Sequence, residues 1–199
     1  MFHILQKLVA LILILIASPL LLFVSIIIIL DDGFPVVFKH KRVGKSEKLF
    51  SCLKFRSMKK NSEEILKNDK KLYQIYIKHN YKIPEELETR FINIGAFIRK
   101  TSLDELPQLF NIVNGSMNLV GPRPIVSDEK KFFNEEEIKL LYSVRPGITG
   151  LWQVSGRSSI PWPERKYIEL DYIKQRSFFF DLKIIFKTFS AVLKKTGAY

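Results

Sequence analysis

The sequence predicts a mainly α-helical protein with a short β-hairpin (α+β), attached to a membrane at its N-terminus. Three observations carry this expectation. Residues 8–30, LVALILILIASPLLLFVSIIIIL, run for 23 residues without a charge. Aromatic and β-branched residues flank Gly44 in GFPVVFKHKRVGKSEKLFSCLKFRSM, as two strands and a turn would require. Past Pro107 apolar residues recur at helical spacing, and from Trp162 onward the pattern is again helical.

The apolar run comes first. As a helix it would be roughly 34 Å long, enough for a bilayer core of about 30 Å. Asp31-Asp32 follows it with no small-residue cleavage pattern, so a signal peptide fits poorly. Ser18-Pro19 falls at its midpoint, where proline removes a backbone donor and crowds the preceding turn. A kinked spanning helix and a re-entrant helix–break–helix are both open on these grounds. Lys39, Lys41, Arg42, Lys45 and Lys48 follow closely, which keeps the rest of the chain cytoplasmic in either topology. The expected division is therefore a membrane segment at 1–32 and a catalytic or binding domain at 33–199.

The remainder carries a positive surplus. The chain has 199 residues, with 32 lysines and arginines against 20 acids and a net charge of +12. That predicts an anionic partner: nucleic acid, anionic lipid or a phosphorylated substrate. The single cysteine, Cys52, excludes an intrachain disulfide. His3, His40 and His79 are scattered, without metal-ligand spacing. GKS at 44–46 lacks the upstream glycine of a phosphate-binding loop, since Lys39 stands there.

Within the hairpin, a period of two puts Lys54 and Arg56 on one strand face. Residues 60–90 read as surface helix or loop, broken at Pro84. SLDELPQ (102–108) then sets two carboxylates, Asp104 and Glu105, at the entrance to a helix with apolar Leu106, Leu109, Phe110 and Val113 that stops near Asn114-Gly115. Ser102 and Glu105 have the spacing of a capping box. That leaves Asp104 and the surrounding basic loops unexplained. Adjacent residues on a helix point ~100° apart, so one carboxylate could attack while its neighbour holds a cation.

Arg123 stands between prolines in GPRP, which mounts its guanidinium on a stiff extended strut suited to phosphate. Arg145 precedes Pro146-Gly147 in the same manner, and the glycines of GITG and SGR permit close backbone approach to a ligand. Trp152 fits either a stacking role or the core. In the last helix Phe178, Leu182, Ile185, Phe189 and Val192 line one side, Phe179, Phe180, Ile184, Phe186 and Leu193 widen it, and Lys183 and Lys187 share the narrow rest. A broad apolar face edged by lysines suits a helix lying in the membrane interface.

Taken together, KFRSM (54–58), RKTSLDELPQLFN (99–111), GPRP (121–124), RPGITGLWQVSGR (145–157) and PWPERKYIELDYI…S…DLKIIFKT resemble the bacterial sugar transferase family, the small monotopic phosphoglycosyl transferases that act on polyprenyl phosphate. The resemblance covers nearly the whole chain. It implies transfer of a sugar-1-phosphate from a UDP-sugar to polyprenyl (undecaprenyl) phosphate, with release of UMP, as the first membrane step of exopolysaccharide, O-antigen or glycoprotein glycan assembly. It implies Mg²⁺ as cofactor, Asp104 as nucleophile and Glu105 as its acidic partner at the metal. Arg123 and Arg145 match the phosphate-contacting loops, with Lys54, Arg56 and Arg99 as further members of a basic pocket. Ser18-Pro19 matches the break of the family's re-entrant helix. The implied setting is the cytoplasmic face of the bacterial inner membrane, with the lipid bilayer as partner, no nucleic acid, and a homodimer left open. His40 replaces a usual glutamine, Glu47 a common glycine, and ETRFINIG departs from D-x-R-x-T; residues 67–86 have no firm counterpart. The competing expectation is a membrane-tethered basic module that grips nucleic acid or anionic lipid without catalysis.

Overall fold

A computed structural model describes residues 2–79 and 83–193 of the chain. Helix α1 spans Phe2–Asp32 and leads into an antiparallel hairpin of β1 (Val37–Val43) and β2 (Leu49–Phe55). Short helices α2 (Ser62–Asn68) and α3 (Lys70–Lys78) form a small lobe, and α4 (Gly95–Lys100) precedes the 3-10 turn Leu103–Glu105 and α5 (Gln108–Val113). Strand β3 (Asn118–Val120) pairs in parallel with β4 (Gly147–Thr149) across α6 (Glu135–Leu141). Helices α7 (Leu151–Ser155), α8 (Glu164–Gln175) and α9 (Phe178–Leu193) complete the described chain. The mainly helical class with one short antiparallel hairpin is as the sequence indicates.

The expected interruption of α1 needs correction. The helix is unbroken through Ser18-Pro19. Proline has no N–H to give the carbonyl four residues back, and the Ser18 hydroxyl donates to that carbonyl, Leu15 O, at 2.8 Å. The serine thus supplies the donor its neighbour lacks, as helices in apolar surroundings require.

One face of α1 rests on the rest of the protein along its length. Gln6, Ala10, Val24 and Ile28 are buried and Ile14 and Leu21 partly so, a stripe at spacings of three and four. Ala10 packs with Leu109, Ile112 and Met117, whereas Ile28 packs with Phe55, Ile92 and Ile98. Polar contacts fasten both ends. Gln6 Oε1 accepts the Leu119 amide at 2.8 Å, and Asp31 accepts the Ile94 amide at 3.1 Å and Asn93 Nδ2 at 2.6 Å. The opposite face, with Leu11, Ile12, Leu15, Ile16, Leu22 and Phe23, is exposed.

Helix α9 also divides. Asp181 and Ile184 are buried and Tyr172 of α8 donates to Asp181 Oδ1 at 2.7 Å, while Phe178, Phe179, Leu182, Phe186 and Phe189 are exposed. The side chains of Val192 and Leu193 lie outside the described residues. A bare aromatic face of this extent marks a contact surface.

Candidate active site

The site forms where β2, the turn before α5 and two glycine-anchored loops meet. Asn111 of α5 is 2 % exposed, and its amide accepts from Leu53 N at 2.9 Å and donates to Ser51 O at 2.8 Å. It pairs with the outer edge of β2 as a strand would, which fixes Lys54 beside the turn. The loops 121–124 and 145–147 touch backbone to backbone: a Cβ on Gly121 would lie 2.6 Å from Arg145 O and Gly147 N. Only glycine permits that approach.

Ser102 does not cap the following helix. It is in the left-handed region (φ 58) and makes no cap bond, and Glu105 turns elsewhere. Lys54 Nζ donates to Glu105 Oε1 at 2.6 Å, and both terminal nitrogens of Arg123 reach the same oxygen at 3.3 Å. Lys54 Nζ also lies 3.7 Å from Asp104 Oδ2. Asp104 itself is 7 % exposed. Spacing alone favours the capping box; the charges of Lys54 and Arg123 outcompete it, because a charge-assisted bond is roughly twice as strong as a neutral one.

The two carboxyls are driven apart. Burial pushes Asp104 up to about 6, opposed by Lys54 and reinforced by the charge of Glu105. Burial acts on Glu105 in the same sense, but Lys54 and Arg123 outweigh it and hold its carboxyl well below the usual range. Glu105 is thus a fixed anion engaged by two cations, and Asp104 is the more basic carboxylate. Pairs whose environments separate their acidities identify distinct roles.

The expected basic residues do not all converge. Lys54 and Arg123 do. Arg99 acts on Asp104 electrostatically and stands 5.3 Å from the centre of the Phe91 ring. Arg56 instead turns to the α1–β1 junction. There it pairs with Asp32 and donates to the carbonyls of Pro35 at 2.6 Å and Asp32 at 3.1 Å. The chain reverses at Gly33 (φ 67), leaving carbonyls that a five-donor guanidinium can satisfy together. Arg145 reaches the start of α1, 2.9 Å from His3 Nε2. Trp152 is buried and carries guanidiniums on its ring, Arg165 at 4.3 Å and Arg123 at 5.5 Å.

Two residues at the site escape sequence reasoning. Arg157 adopts φ 51, and its Nη1 is 3.3 Å from Ser102 Oγ. Two left-handed non-glycine residues thus face each other beside the dyad, where backbone strain tends to collect. His40, in β1, is pushed down to about 4 by burial and by Arg42, Lys54 and Arg123, so it faces the pocket uncharged. The glycine of SGR is the only hint of the first, and the alternation of β1 the only hint of the second.

The bacterial sugar transferase family model matches residues 1–195. The chain belongs to that family. An "Uncharacterized sugar transferase" of Haemophilus influenzae is 46% identical over 94% of this chain and 39% of its own length. The "Undecaprenyl-phosphate galactose phosphotransferase" of Salmonella typhimurium is 45% identical over 92% and 38%, and the "Exopolysaccharide production protein ExoY" of Rhizobium meliloti 39% identical over 92% and 80%. The chain thus spans about two fifths of the first two relatives and four fifths of the third.

Proposed function

We propose that the chain transfers a sugar-1-phosphate from a UDP-sugar to undecaprenyl phosphate, releasing UMP, through a covalent intermediate on Asp104. The observation that supports this most is the split dyad: a buried, basic Asp104 next to a Glu105 already committed to Lys54 and Arg123. Relatives are named for phosphotransfer to an undecaprenyl carrier, in agreement with that chemistry. A polyanion-binding face is weakened by an acidic pair set among its cations, and here Asp104 and Glu105 stand beside Lys54 and Arg123.

In this reading an Asp104 oxygen attacks the sugar-bearing phosphorus. The bond from that phosphorus to the bridging oxygen breaks, and UMP leaves with the electron pair. Arg123 and Lys54 meet the charge that develops on the phosphate oxygens. A phosphate oxygen of the lipid then attacks the same phosphorus and breaks its bond to Asp104, restoring the carboxylate. Two substrates therefore need not be bound together. The donor set also fits Mg²⁺. No group of three acidic, histidine or cysteine side chains stands together among the described residues, and Mg²⁺ takes one or two carboxylates and completes its shell with water and substrate phosphates. Asp104 and Glu105 would hold it, and when bound it would neutralise charge on the donor phosphates.

The test is UMP release from a panel of UDP-sugars by the purified chain with undecaprenyl phosphate and Mg²⁺. Release from at least one donor is expected; none from any donor contradicts the reading. Protonation of Asp104 should impose an acid limb on that rate. Lys54 lowers the pKa of Asp104, so Lys54→Met should move the limb to higher pH in a pH–rate profile. A limb that stays in place or moves down would remove Asp104 from the step.

The same reading seats α1 in the cytoplasmic leaflet without crossing it. Both ends of the helix are fastened to one body, whereas a crossing helix would place Gln6 and Asp31 on opposite sides of the bilayer. The exposed aromatic face of α9 would lie in the interface beside it. Single cysteines at Ile4 and Glu136 in a Cys52→Ser background should react with an impermeant thiol reagent from the same side. Reaction from opposite sides would mean a spanning helix.

A further inference from the structure

Arg123 works from a loop whose four residues include two prolines, so few of its backbone donors are available to hold it. Gly121 N donates to Thr149 O at 3.0 Å, Pro122 O accepts from Gly147 N at 2.9 Å, and Pro124 O accepts from Arg42 Nη1 at 3.1 Å. The remaining donor is the amide of Arg123. It goes to a side chain of α8, Glu169 Oε2, at 3.1 Å.

Glu169 is fully buried, at 0 % exposure. Its other oxygen lies 3.6 Å from Arg165 Nε, one helical turn earlier. Arg165 is clamped between two rings, 4.3 Å from Trp152 and 4.6 Å from Trp162, and its Nη1 is 3.5 Å from Glu129 Oε1. A buried ion pair adds little stability that apolar residues of the same volume would not supply. What an apolar residue cannot supply at position 169 is an acceptor for the Arg123 amide. The side chain that leaves from that amide's own residue is the one that meets Glu105, and Trp152 supports both Arg123 and the arginine that pairs with Glu169.

We propose that Glu169 is a positioning residue: it fixes the backbone of Arg123 so that the guanidinium meets Glu105 and the donor phosphate in one place. The inference rests on the reaction proposed above and adds a control point that does not touch the substrate. A guanidinium at the end of a long side chain magnifies any tilt of its peptide plane, and a misplacement of about 1 Å near a reacting centre can cost about 10²-fold in rate.

The test compares wild type, Glu169→Met, Glu169→Gln, Arg123→Ala and the Arg123→Ala/Glu169→Met double variant in the full chain. UMP release gives kcat and KM, and hydrogen exchange gives the protection of the Arg123 amide. Glu169→Met should lower kcat by about 10- to 100-fold, the scale of such misplacement, with a smaller change in donor KM and a loss of amide protection. Glu169→Gln, which keeps an oxygen at the same reach, should restore most of both. The double variant should be no slower than Arg123→Ala by more than about 3-fold, since residues that act through one another are not additive. Losses that multiply in the double variant, or a protected Arg123 amide in Glu169→Met, would overturn the proposal. If Glu169→Met does not fold, Arg165→Met/Glu169→Met removes both charges together and the same two outcomes decide. A wild type that releases no UMP would defeat the reaction instead, while the exchange measurement would still decide the anchorage.

Discussion

Asp104→Asn should reduce UMP release on the order of 10⁴-fold or more, the scale on which loss of a nucleophile is felt, and should leave the protein more stable at neutral pH. The amide has the shape of the carboxyl and none of its nucleophilic charge. The sign of the stability effect follows from burial. Asp104 is pushed up to about 6 from an ordinary 3.8, so the folded state holds its proton more tightly than the unfolded chain does. That contribution is complete below about pH 3.8 and is lost as pH rises through about 6. At pH 7.5 the wild type bears a buried charge that Asn does not, and thermal unfolding should show a higher Tm for the variant. Activity and stability are opposed here, as expected where a site is strained for its chemistry. A variant that keeps its rate, or loses it only by unfolding, would count against the assignment.

Glu105→Gln should lose both. Lys54 and Arg123 converge on one oxygen of Glu105, and without its charge Arg123 loses its carboxylate partner while Lys54 keeps only Asp104, at 3.7 Å. Removing one preorganised electrostatic partner typically costs about 10²–10³-fold in rate. Glu105 is held below the usual carboxyl range, so its stabilisation is present above the unfolded value of 4.5 and is lost as pH falls through the folded one. Breaking a fully buried pair costs about 3–5 kcal/mol. With 21% of the Glu105 side chain exposed, roughly 2–3 kcal/mol is expected on that scale, readable in denaturant titrations at pH 7.5. Equal and opposite shifts in Tm for Asp104→Asn and Glu105→Gln would reflect the divided electrostatics of the pair. Shifts in the same direction would contradict it.

Much of this was legible in the sequence because local signals agreed with the fold. The hairpin follows from alternation around Gly44, and α5 from Pro107 to Gly115. The chemistry of Asp104, Glu105 and Arg123 follows from residue type and from the rigidity of GPRP. Other features carry no local signal. A uniformly apolar α1 gives no periodicity from which to read that Gln6, Ala10, Val24 and Ile28 face the protein. Arg165 and Glu169, at i and i+4, look like a solvated pair on a surface helix; they are buried because Trp152 and Trp162 close over the arginine. Arg56 shares the strand face of Lys54 but is captured by carbonyls exposed at Gly33 and Pro35, a demand set by the preceding turn. Long-range contacts decide such cases, and spacing along the chain does not encode them.

The most direct test is a transient bond at residue 104. Mixed with its UDP-sugar donor in the absence of lipid acceptor and quenched in acid, the protein should gain the mass of one sugar phosphate on the peptide that carries Asp104, and lose it when undecaprenyl phosphate is added. A chain that turns over donor with no such adduct, or that carries it on another residue, would contradict the account.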